Sequence, residues 1–323
     1  MNFHLQFQIP PFENKISYSH KMLFIGSCFA ENVAEKMQKY KFDVNINPHG
    51  VLYNPASIAV ALRSYVFNWQ TDESELFYAD ELWNSWQHHS RFSNPDKAAC
   101  LKQINERISA AHDFIKKAEW LFITFGSAFT YTHIAENKAV ANCHKMPQKE
   151  FTKSLQSVTE IVHEYNALLA ELKKINPSLI IVFTVSPVRY VRDGIVENNV
   201  SKGILLQAVH ELTKNNSAIY FPAYELVIDD LRDYRFYNSD LVHPNEQAID
   251  YVFEKLKAAA FDESAHQLLE KIKELIAAKQ HRPFNEDTEQ HKKFKAAYLE
   301  RCKRLQNEFP FLDLVEELNY FQS

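Results

Sequence analysis

Two short stretches of this 323-residue chain carry side chains spaced for nucleophilic chemistry. In MLFIGSCFAE (22–31), Ser27 and Cys28 follow an apolar run and a glycine. In YNSDLVHPNEQA (237–248), Asp240 stands three residues before His243, and a proline follows the histidine. A carboxylate at that spacing can, within one turn, hold an imidazole in one tautomer while the other ring nitrogen faces a serine. A serine served this way attacks acyl carbonyls, with the histidine taking its proton. Cys28 is the rival nucleophile, because a helix N-terminus lowers a thiol pKa; it is expected instead to turn toward the core. Each residue also has a plainer reading. Ser27 and Asp240 are types that cap helices, and His243 could simply begin one.

The elements around these residues are legible. Apolar runs occur at 22–26, 42–46, 120–126, 179–186 and 218–222, and short continuous runs suit strands buried on both faces of a parallel sheet. Phe29, Val33, Met37 and Tyr40 share one helical face. Ser27 is thereby placed at a strand-to-helix junction, where ligands of open parallel sheets bind. The chain has five glycines, against about 7% in ordinary proteins, so Gly26 is expected to answer a backbone demand. Residues 55–66 and 95–118 read as helices opened by proline, and 67–94 as a long loop over the sheet. Residues 129–145 read as a hairpin around AENK that returns Asn142, Cys143 and His144 toward Gly126 and Ser127. Beyond 245 the pattern is helical.

Other chemistries lose their signatures. Glycines at 26, 50, 126, 194 and 203 form neither GxGxxG nor a P-loop. With Ile25 and Phe29 in place there is no GxSxG elbow. WQHHSRFS (86–93) and the pair Cys143 and His144 suggest zinc, yet no set of three or four ligands at workable spacing is evident, so no metal is expected. A net charge of −5 gives no basic field for nucleic acid. No apolar run approaches the ~18 residues of a membrane span, and four scattered cysteines match no disulfide framework. These features point to a cytoplasmic protein with neither nucleic acid nor membrane as partner. Oligomeric state is not encoded in any feature read here.

GSCFAENVAEKM, TFGSAFTYT, NCHK, SPVR and RDYRFYNSDLVHP resemble the GSCFA family, related to the SGNH (GDSL-like) hydrolases, over residues of about 20 to 260. The resemblance implies an α/β, SGNH-hydrolase-like three-layer sandwich around a parallel sheet; the domain is expected to span 1–262, and the helical pattern beyond it, outside the resemblance, to form a C-terminal extension at 263–323. It implies Ser27 as nucleophile, His243 as base and Asp240 as its orienting acid. It also implies an oxyanion hole from the N–H groups of Ser27 and Gly50. The third family donor, an asparagine in GxN after the third strand, is replaced here by Gly126, Ser127, Ala128, so Asn142 is the candidate substitute. His89, Arg91, Gly126, Ser127, His144 and Arg189 are candidate substrate contacts, each with a plainer reading as a loop or ion-pairing residue; Arg232 and Arg235 share Arg189's ambiguity. The expected activity is a cofactor-free serine esterase or acyl transferase acting on an O-acyl ester of a carbohydrate or small metabolite. The alternative is an inactive scaffold that binds a small molecule or a protein partner.

Overall fold

The computed structural model describes residues 7–215 and 217–322. Its strands are β1 (Lys21–Gly26), β2 (Asp43–Ile46), β3 (Leu76–Ala79), β4 (Leu82–Ser85), β5 (Trp120–Phe125), β6 (Phe129–His133), β7 (Lys138–Val140), β8 (Phe151–Leu155), β9 (Ile180–Val185) and β10 (Ile219–Tyr220). Its α-helices are α1 (Cys28–Lys39), α2 (Pro55–Phe67), α3 (Lys97–Ile115), α4 (Val158–Ile175), α5 (Ile195–Thr213), α6 (Ala223–Glu225), α7 (Glu246–Ala260), α8 (Glu263–Gln280), α9 (Glu289–Glu308) and α10 (Val315–Gln322).

Five strands form a parallel sheet in the order β10-β9-β5-β1-β2. Its apolar runs are continuous because both faces are covered. Met22, Phe24, Trp120 and Phe122 pack on one side with α1, α7 and α8, whereas Leu23, Ile25, Leu121 and Ile123 pack on the other with α2, α4 and α5. This is the α/β sandwich the sequence implies. From β1 the chain runs outward to β2, then crosses back to β5 on the opposite side. The strand order therefore reverses between β1 and β5, and a crevice at such a reversal is where these sheets bind ligands. Ser27 and Gly126 stand at its two banks.

Gly26 ends β1 at φ 137°, and a Cβ there would lie 2.1 Å from the Thr124 carbonyl oxygen of β5. Close strand approach and a left-handed backbone both require glycine at this position.

Two expectations are corrected. Residues 67–94 are not simply a loop, because β3 and β4 form an antiparallel hairpin closed at Asp80 and Glu81, both at positive φ. That is the backbone of a I′-type turn, normally announced by Asn-Gly or Asp-Gly. The 129–145 segment does form a hairpin, β6 with β7, but β8 joins its free side to make a three-stranded antiparallel sheet. The C-terminal helices share the core on the α1 face: Leu268, Ile272, Leu275, Cys302, Leu305 and Phe321 pack with Met37, Phe42 and Phe261. Glu317 of α10 ion-pairs Lys41 at the end of α1.

Candidate active site

Ser27 occupies the N-cap position of α1, yet its side chain makes no capping hydrogen bond. The residue is 1% exposed, and its Oγ has no hydrogen-bond partner among the described residues. The serine's structural job, capping, is therefore not performed. Cys28 is half-buried and outside the core cluster that holds Phe29, Val33 and Met37, a departure from the expected inward placement. Burial pushes its thiol up despite the N–H groups of the helix start, so the thiolate form is disfavoured.

Asp240 and His243 meet as their spacing implies. His243 Nδ1 lies 2.7 Å from Asp240 Oδ2, while Asp240 Oδ1 accepts the N–H of Val242 at 2.9 Å and of His243 at 3.0 Å. The backbone N–H of His243, then that of Val242, then the imidazole hold this carboxyl down to about 2. The Asp240 carboxylate stays ionised at ordinary pH and orients the imidazole through Nδ1. Arg189 braces the turn: its Nη1 donates to the Leu241 carbonyl, and its guanidinium lies over Tyr237 at 4.4 Å and Tyr234 at 5.0 Å. Arg189 thus packs against this turn as well as lining the groove beside it. A groove of about 400 Å³ lined by Arg189, Val191, Ile195, Tyr234, Leu241 and Val242 adjoins Asp240.

Helix packing sets the relation between the two halves. α1 and α7 run side by side in the same direction, joined by the Lys36–Asp250 ion pair and by Tyr40 against Phe253. Lys36 is nine residues beyond Ser27 and Asp250 five beyond the N-cap Asn245. At 1.5 Å per residue, α1 thus starts roughly 6 Å beyond α7. Ser27 and His243 share one end of two adjacent helices. No hydrogen bond joins them, and the His243 side chain is 45% exposed.

The expected oxyanion donors are engaged elsewhere. Gly50 N–H donates to the Asn47 carbonyl at 2.7 Å, closing a tight turn, and a Cβ on Gly50 would sit 2.2 Å from His89 Cβ. Its glycine serves the turn and the packing of His89. Ser27 N–H donates to Thr124 at a long 3.3 Å. Asn142 Nδ2 donates to Ser90 Oγ, and its Oδ1 accepts from His144 N–H. The hairpin returns, and Asn142 bonds the Trp86 carbonyl through its N–H and Ser90 Oγ through its amide. His144 is buried against the Ser85 carbonyl, and buried Ser127 bonds Ser201 and Phe129 N–H. His89 packs on Gly50, and Arg91 pairs with Glu31 in the first turn of α1. Buried His49 bonds Tyr65 and buried His88 bonds Ser85, and burial drives His49 down to about 3. No group of metal ligands occurs among the described residues.

Two residues near the crevice escaped sequence reading. Asn47 accepts Gly26 N–H through Oδ1 at 2.9 Å. Lys202 of α5 is 2% exposed and donates to the carbonyls of Gly126 and Ser186, each at 2.6 Å, with no ion pair among the described residues. It lies on the stripe Asn198, Ser201, Lys202, Leu205, Ala208, Val209 and Leu212 that faces inward, so helical periodicity could have flagged it.

Burial lowers Lys202 from its ordinary 10.5 to about 7, with Cys28 pulling the other way. Between those values the unfolded chain holds a proton the folded one lacks, so stability rises with pH across that window. Below it both states are charged and the buried ammonium is at its most costly. Urea unfolding from pH 6.5 to 9.5 should show this rise in the wild type and a flatter profile in Lys202→Met; equal slopes would refute the assignment.

Among the described residues no helix is long and apolar enough to cross a membrane. The model of the GSCFA family matches residues 21–256, and that of the GSCFA domain protein C-terminal domain matches 272–323. The comparison with curated proteins gave no match. Among solved structures, a lipase from a goat rumen metagenome is 10% identical, covering 76% of this chain and 100% of its own, with a TM-score of 0.39. A carbohydrate esterase family 3 protein from Talaromyces cellulolyticus is 9% identical (79% and 99% covered, TM-score 0.35). A mutant acetyl-xylooligosaccharide esterase from Geobacillus is 12% identical (77% and 98% covered, TM-score 0.39).

Proposed function

The chain belongs to the GSCFA family, and from that premise we propose that it is a serine-dependent esterase or acyl transferase acting on an O-acyl ester of a carbohydrate or small metabolite. The observation that carries this reading is the pairing of His243 Nδ1 with Asp240 at 2.7 Å, at the same end of the molecule as a buried Ser27 hydroxyl that caps nothing.

In the proposed reaction His243 Nε2 takes the Ser27 proton as Oγ bonds to the acyl carbon. The carbonyl pair moves onto oxygen, and its collapse expels the alcohol, which receives the proton from Nε2. Water or an acceptor hydroxyl then repeats the sequence on the acyl-serine, returning Ser27. Asp240 keeps Nδ1 protonated throughout and stabilises the imidazolium. Because the side chains are apart at rest, binding must open the crevice and swing Nε2 onto Oγ. The exposed His243 ring has room to do so. The apolar groove beside Asp240 suits the less polar part of the ester.

A second reading, an inactive scaffold that binds a small molecule or partner, is favoured by one observation: Ser27 Oγ is enclosed and unbonded while Gly50 N–H and the Asn142 amide serve elsewhere. Fluorophosphonate labelling, with turnover of p-nitrophenyl acetate, separates the two. The enzyme reading expects wild type and Cys28→Ala to label and turn over alike. A folded wild type that does neither supports the scaffold, and loss confined to Cys28→Ala would make it a thiol enzyme.

A further inference from the structure

Two buried polar atoms beside β1 lack any hydrogen-bond partner among the described residues: Ser27 Oγ and Asn47 Nδ2. Asn47 is 2% exposed and follows β2 at φ 42°, a left-handed conformation asparagine tolerates. Its backbone N–H donates to the Phe24 carbonyl, and its Oδ1 accepts the N–H of Gly26, the residue before Ser27. The second contact fixes the amide's orientation, since an N–H must meet the oxygen and not the NH₂. The donor end, on an amide anchored to the residue that precedes Ser27 in the chain, is left with nothing to donate to among the described residues. An unpaired buried donor is costly, which gives a site reason to exist only where something else, at some stage, accepts from it.

The other donors are committed to Asn47 O, Thr124 O and Ser90 Oγ, and the GxN position holds Ala128 in place of asparagine. We propose that Asn47 Nδ2 donates to the oxyanion formed when Ser27 attacks the acyl carbonyl. The inference rests on the serine-ester reading. As Oγ bonds to carbon and the π pair moves to oxygen, the N–H strengthens its hold without transferring its proton. The Gly26 contact has already oriented the amide, so no reorganisation is needed at that moment.

Asn47→Asp is the discriminating variant. It keeps an acceptor for Gly26 N–H and the left-handed backbone but has no N–H to give. With p-nitrophenyl acetate its kcat is expected to fall by about 10²–10³-fold with KM little changed and Ser27→Ala as the blank, while the buried carboxylate lowers the unfolding midpoint. Should Asn47→Asp fail to fold, Asn47→Gly, uncharged and suited to φ 42°, is expected to show the same kcat loss. Either variant folded with wild-type kcat overturns the proposal, as does a change confined to KM or to stability. If wild type shows no Ser27-dependent turnover, the serine reading falls and this inference with it. Ser27-dependent turnover that survives in Asn47→Asp removes Asn47 alone.

Discussion

Replacing Ser27 with alanine is expected to abolish ester turnover while leaving the fold as stable as before, or more so. Loss of a serine nucleophile typically removes four to six orders of magnitude from kcat, about 10⁴–10⁶-fold, because histidine and oxyanion donors then have no attacking atom to serve. A capping serine would cost about 0.5–2 kcal/mol when truncated, but Ser27 makes no capping bond. Its Oγ is instead a buried hydroxyl without a partner, and removing such a group relieves desolvation of about 1–3 kcal/mol. Urea unfolding and p-nitrophenyl acetate hydrolysis on the same preparations test both halves. A destabilised, active variant would return Ser27 to a helix cap. Stability gained with activity lost is the signature of a group kept for chemistry.

The parallel sheet was legible because its strands are unbroken apolar runs, and α1 because Phe29, Val33 and Met37 mark one face. The β3–β4 hairpin was not, because Asp80 and Glu81 adopt a turn backbone without the glycine or asparagine that usually announces it. β8 (FTKSL) went unread because its partner β6 lies outside the main sheet.

The candidate site divides on similar lines. Asp240 and His243 lie three residues apart, so one turn decides their contact and sequence suffices. Asn142 depended on where a hairpin's far arm finally rests, and Trp86 and Ser90, more than fifty residues earlier in the chain, decided it. The family motif implies a donor role for Gly50, whereas in this chain the Asn47–Gly50 turn uses its N–H internally. No sequence signal marks Asn47; only the contact of Oδ1 with Gly26 gives its amide a direction.

His243→Ala is expected to lower kcat by about three to four orders of magnitude, roughly 10³–10⁴-fold or more, with little effect on stability since the ring is half exposed. The more searching measurement is the double variant. If His243 acts only by taking the proton from Ser27, removing both residues costs no more than removing one, because each is useless without the other. Two residues with unrelated roles would instead show multiplied losses. Asp240→Asn tests the third member: it preserves the turn's acceptor for Val242 and His243 N–H but can present an NH₂ to Nδ1, favouring the wrong tautomer. Its kcat should fall at all pH values. Asp240 in the wild type is held down to about 2, so its own titration cannot account for loss of rate above pH 4. A double variant much slower than either single one, or an unaffected Asp240→Asn, would show that the 2.7 Å Asp240–His243 contact orders a surface turn and does no work on Ser27.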